Sequence, residues 1–167
     1  MISSIGLHWL SVVVNLLTSS TGHSLLRHIL PGLRFNSGLT KIYALLLDNF
    51  VIYDSRVAAA LTWLVTKWEA QTKLSALPDS LCFGCMRANQ SKKSRSPELR
   101  QPDARFTYLN QNPYMHAHWN LRANWVLKSA FDKAMHINGL MKLQSLREVE
   151  AMLFAIGFDL KYAKPRD

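Results

Sequence analysis

The chain predicts an all-α, compact multi-helix domain, and three observations carry that prediction. Leu61, Leu64, Val65 and Trp68 recur at the spacing of one helix face. Helix-start signals recur as well: Asp54-Ser55 stands directly before that face, and Ser145-Leu-Arg-Glu148 has the form of a capping box. Third, 167 residues with a hydrophobic fraction of 49% suffice for one helical core and argue against disorder. The expected organisation is one helical domain over residues 1–160, with 78–105 as a basic loop insertion and 161–167 as a C-terminal tail.

Taken in order, residues 5–17 form an apolar run with no Lys or Arg before it, too short to span a bilayer. A core helix with His8 and Asn15 on its less apolar side is expected, not a signal peptide. Residues 24–30 read as a second short helix, stopped by Pro31-Gly32. A helix then opens near Thr40 and ends at a turn at Asp48-Asn49. Phe50 to Tyr53 is a brief extended run, followed by a helix whose N-cap is Asp54 or Ser55. Pro78, Pro97, Pro102 and Ser91-Lys-Lys-Ser-Arg95 mark the stretch 78–105 as a long exposed loop with a basic tip. Phe106-Thr-Tyr-Leu109 is extended and 116–135 is helical. Val149, Met152, Leu153 and Ile156 form the apolar face of a last helix, which Gly157 ends.

The formal net charge of +9 predicts attraction to polyanions. Such an excess merely keeps many basic proteins soluble, or else marks DNA, or RNA, as a partner; a monomer is expected. Lys92, Lys93 and Arg95 at the loop tip are either solvated cations or phosphate contacts. Trp119 and Arg122, like Trp125 and Lys128, lie three residues apart on a shared helix face. Such pairs can stack on a base and hold its phosphate. A core face of Trp, Leu and Val with Asn and Arg outside explains the same pattern.

Cys82 and Cys85, the two cysteines of the chain, fit a reducing, cytoplasmic setting and argue against a disulfide framework. They form half of a zinc site that only His116 and His118 could complete, a redox pair, or plain thiols; plain thiols are expected, with no metal. Glycine-rich phosphate loops, serine-hydrolase elbows and HExxH zinc helices are absent. No cofactor and no membrane partner are expected.

The region from Ser37 to Leu61 bears most directly on chemistry. From Lys41 to the end of its helix is about 9 Å at roughly 1.5 Å per residue. The extended run back to Asp54 covers about 16 Å at roughly 3.3 Å per residue. A chain reversal at Asp48-Asn49 would bring an amine and a carboxylate together near two helix N-termini.

Gly38-Leu-Thr-Lys41 followed by Phe50-Val-Ile-Tyr-Asp54-Ser-Arg-Val57 resembles the lysine and aspartate segments of helix-hairpin-helix DNA glycosylases. It is most similar to small bacterial proteins with an 8-oxoguanine glycosylase-like fold. The interval between Lys41 and Asp54 is shorter than the family's. Arg34-Phe-Asn-Ser37 stands where the hairpin carries a second glycine after Leu30-Pro-Gly32. The resemblance also implies more structure upstream, and hence a truncated N-terminus.

What the resemblance implies is base-excision chemistry of DNA repair. Lys41 would be the nucleophile that forms a Schiff base with the sugar, and Asp54 the stabiliser of charge on it. An amine attacks only when unprotonated, which calls for a desolvated site or a neighbouring cation. The extruded base would need an aromatic pocket, for which Tyr43, Tyr53, Trp119 and Trp125 are candidates. Arg56, next to the cap, would pair with Asp54 or join Lys92, Lys93, Arg95 and Arg122 in holding phosphates. The alternatives are a degenerate, non-catalytic nucleic-acid-binding module and a helical protein-interaction partner of a defence or mobile-element system.

Overall fold

The computed structural model describes residues 26–28, 30–73, 75–86, 106–109, 111–135, 143–158 and 160. The regular elements among them are helical: α1 (Leu39–Leu46), α2 (Ser55–Thr72), a 3₁₀ turn (Asp79–Leu81), α3 (Pro113–Met135) and α4 (Leu146–Ile156). A lone parallel bridge between Cys85 and Tyr108 is the one pairing of extended backbone among the described residues. The fold class is therefore all-α. The expected helix at 5–17, the basic tip with Lys92, Lys93 and Arg95, and the tail 161–167 lie outside the described residues. No helix among the described residues is long and apolar enough to cross a membrane.

Each helix begins where a side chain can satisfy the unpaired amides of its first turn. Asp54 Oδ1 accepts from the amides of Arg56 (2.9 Å) and Val57 (3.1 Å) and so caps α2. Asn36 Oδ1 does the same ahead of α1, accepting from Gly38 (2.8 Å) and Leu39 (3.0 Å). Asn112 Oδ1 accepts from Tyr114 (3.0 Å) and Met115 (3.2 Å), with Pro113 as the first helical residue. This Asn-Pro start puts the beginning of α3 ahead of the expected His116. Ser145 caps α4 through the Glu148 amide, and Glu148 reaches back to the Gln144 amide at 2.9 Å.

Gly157 ends α4, as expected, but not by a left-handed turn: its φ is −72°. A Cβ there would lie 2.0 Å from the Arg56 carbonyl oxygen, so the absent side chain is what lets α4 close against the first turn of α2. The core face of α2 is also displaced from the expected one. Val57, Ala58, Ala60 and Leu61 are buried, whereas Leu64 and Trp68 are exposed. The N-terminal half of α2 is enclosed, and its C-terminal half runs out beyond the core.

The stretch 78–105 also needs correction at its start. Phe83, Gly84 and Cys85 are buried. The Cys85 amide donates to the Thr107 carbonyl (2.8 Å), and the Cys85 carbonyl accepts from Leu109 (2.9 Å). A Cβ at Gly84 would come 2.5 Å from the Trp119 ring, so this strand-like segment presses its backbone onto α3.

Candidate functional site

The extended run 50–53 lies against the polar side chains of α3 and α4, with no neighbouring strand among the described residues. His116, Asn120 and Asn124, spaced four residues apart, form one stripe along α3. Asn124 Oδ1 accepts from the Val51 amide at 2.6 Å, and Asn120 Nδ2 donates to the Val51 carbonyl at 2.9 Å. Glu150 Oε2, on α4, accepts from the Ile52 amide at 2.7 Å. His116 Nε2 meets the Tyr53 carbonyl at 2.7 Å; a carbonyl only accepts, so Nε2 carries the proton. In this way the buried Val51 has both its backbone groups bonded by side chains, as it would by a strand, and the Ile52 amide and Tyr53 carbonyl are met as well.

The same network reaches α1. The Thr40 hydroxyl accepts from the Tyr53 amide (3.0 Å) and donates to Asn120 Oδ1 (2.7 Å). Lys41 and Asp54 are each one residue from that Thr40–Tyr53 bond. Adding bond lengths and two Cα steps bounds their Cα separation at about 15 Å. Asp54 is 8% exposed, and both of its cap bonds fall on Oδ1. Lys41 is exposed on α1, so the desolvation asked of a nucleophilic amine is absent, and it makes no ion pair with Asp54.

On α4, Arg147 Nη1 donates to Glu150 at 2.9 Å and Nη2 to the Ala44 carbonyl, so this pair ties α4 to both α1 and the extended run.

Beside this network lies a cleft of about 890 Å³, between residues 33–37, Met86 and the start of α3. His116 lines it, and Phe35 forms an aromatic wall: its ring lies flat on Tyr43 (5.5 Å, 11°) and edge-on to His116 (5.3 Å, 73°). Burial pulls the His116 imidazole below its usual value, against the upward pull of the Tyr53 carbonyl and the Asp54 carboxylate.

The four aromatics expected to form one base pocket are not gathered. Tyr53 is wholly buried, its hydroxyl donates to the Gly84 carbonyl at 2.6 Å, and burial, then Cys85, holds its phenol well above the usual value. Trp119 packs on Phe83 in the core. Trp125 is exposed, and Tyr43 is half-buried against Phe35.

Arg122 is not a surface phosphate ligand. It is 1% exposed, lies over the Trp119 ring at 5.1 Å and donates to the Asp79 carbonyl at 3.3 Å. Burial lowers its guanidinium from the usual value, opposed by Asp79 and Cys82. The expectation that the Asn and Arg residues of this helix point outward thus fails at both Asn120 and Arg122. Arg56 stacks on Phe154 (4.3 Å) and Phe158 (5.0 Å), joining α2 to the end of α4. Cys85 is buried beside the Thr62 hydroxyl (3.1 Å), and no cluster of three or more His, Cys, Asp or Glu that could hold a metal occurs among the described residues.

The residues that organise the site and were not among the expected site residues are Phe35, Asn36, Thr40, Asn112, Asn120, Asn124 and Glu150, with His116, which the sequence offered only as a zinc ligand. One signal for them was present: a His-Asn-Asn stripe at helical spacing is a polar seam that something must satisfy. No family model, curated protein or solved structure matches this chain.

Proposed function

We propose that the chain is a DNA-directed protein of base-excision glycosylase and lyase type. In this reading the Lys41 amine attacks the sugar carbon that carries the base. The base departs with the bonding electrons while Asp54 offsets the positive charge on the sugar, and the sugar ring then opens, its oxygen leaving the same carbon with the bonding pair and taking up a proton, which gives the Schiff base. The observation that carries the reading is the double anchoring of Tyr53. Its amide is bound by Thr40, next to Lys41, and its carbonyl by His116, at the wall of the cleft. Lysine segment, aspartate segment and cleft are thereby tied to a single residue. The net charge of +9 supplies the attraction to a polyanion.

The exposure of Lys41, and the engagement of Asp54 by helix amides, favour a second reading: a nucleic-acid-binding module that keeps the arrangement without the chemistry. Borohydride separates the two. With an abasic or damaged strand, a Lys41 Schiff base is reduced to a covalent adduct, and Lys41→Gln abolishes it. Asp54→Asn keeps a capping oxygen and loses turnover far more than stability, because a neutral amide does not offset the charge. Salt-sensitive DNA binding without any adduct over a broad panel of damaged strands would establish the module instead.

A further inference from the structure

The polar groups lining the cleft have a defined hydrogen-bonding sense. Asn36 and Asn112, which both line the cleft, turn Oδ1 onto helix amides, which leaves their Nδ2 groups as its donors. His116 carries its proton on Nε2, toward the Tyr53 carbonyl, which leaves Nδ1 as an acceptor. Phe35, locked between Tyr43 and His116, provides a flat wall, and Met86 and Leu109 add apolar lining. A volume of about 890 Å³ is ample for a nucleoside.

The amides at the starts of α1 and α3 that would attract an anion are already bonded by the two asparagine side chains. Arg34, exposed, is the one cation of the lining among the described residues and is where a phosphate would be met; the donors beside Phe35 and His116 are the neutral carboxamides of Asn36 and Asn112, which suit an uncharged ring.

We propose that this cleft binds a planar heterocycle whose edge carries an N–H beside carbonyl oxygens, the imide edge of a uracil-type base. The ring N–H donates to His116 Nδ1, the carbonyls accept from Asn36 and Asn112, and the ring face lies on Phe35. The inference deepens the glycosylase reading, on which it rests for a nucleic-acid source, by naming the chemical class of base.

The test is calorimetric titration of the full chain with uridine, with 3-methyluridine, and with a single strand containing one deoxyuridine. Saturable uridine binding is expected, with 3-methyluridine about tenfold weaker, the loss that follows when a buried acceptor has no donor. Asn36→Asp and Asn112→Asp keep the capping oxygen but remove the Nδ2 donor. Each is expected to keep its melting midpoint and to weaken uridine binding by about tenfold. Tighter binding of the strand than of uridine assigns the ligand to a base within a chain; equal binding assigns it to a free nucleoside.

The proposal is overturned by equal affinity for 3-methyluridine, by aspartate variants that bind like wild type, or by inorganic phosphate binding where uridine does not. The enzymatic reading fails separately: uridine binding without a borohydride adduct removes the lyase and keeps the cleft. An adduct formed equally well by Asn112→Asp removes the cleft assignment and keeps the lyase.

Discussion

Asn120→Ala tests whether the polar stripe of α3 holds the site together. Asn120 is fully buried and makes two bonds: Nδ2 to the Val51 carbonyl and Oδ1 from the Thr40 hydroxyl. Truncation strands the Val51 carbonyl, a desolvation cost of about 1–3 kcal/mol. It also removes the acceptor of the Thr40 hydroxyl, about 1 kcal/mol more, although Thr40 still accepts from the Tyr53 amide. The sum is about 2–4 kcal/mol, which for a chain of this size lowers Tm by about 5–15 °C. Urea unfolding, followed by far-UV circular dichroism with thermal scans alongside, measures it directly. Trp125→Ala is the control on the same helix; its side chain is exposed, and it should stay within about 0.5 kcal/mol of wild type. An Asn120→Ala protein as stable as that control would refute the argument that the stripe satisfies the extended run.

Three further outcomes follow from the packing. Gly157→Ala places a methyl group on the Arg56 carbonyl, and separating α2 from α4 should cost about 1–3 kcal/mol in urea unfolding; an unchanged midpoint would contradict so close an approach. Asp54→Ala should cost about 0.5–2 kcal/mol, with Asp54→Ser recovering most of it, and equal loss in both would mean that the carboxylate does more than cap. His116 gives stability a pH dependence. Its folded-state value lies below 6.5, so below that pH the unfolded chain binds more protons. Its contribution is complete above 6.5 and declines as pH falls toward the folded-state value. His116→Gln should flatten that slope in a pH series of unfolding midpoints, and an identical slope would assign it to other groups.

The local grammar of the central region was legible in the sequence. The all-helical class, the turn at Asp48-Asn49, the extended run, the Asp54 cap and the Ser145 cap all depend on contacts within a few residues. Side-chain oxygens find nearby amides whatever the rest of the chain does, and structure follows the pattern there. The partners of the extended run depend instead on what packs beside it. Asn120 and Arg122 look like surface residues on a helix with Trp119, yet both are buried. The run 50–53 brought unpaired backbone groups into the interior, and Asn120 and Asn124 answer the two bonds that Val51 requires. Gly157 shows the same division: its place at the end of α4 was evident, but the reason for a glycine is the Arg56 carbonyl across the interface. Residues 78–86 read as loop because they open a stretch marked by Pro78, Pro97, Pro102 and several serines, and it takes the distant Trp119, Phe106 and the bridge at Cys85 to bury them. Near-neighbour hydrogen bonding is written into adjacent residues, whereas burial of a polar group is decided by whichever distant backbone arrives to meet it.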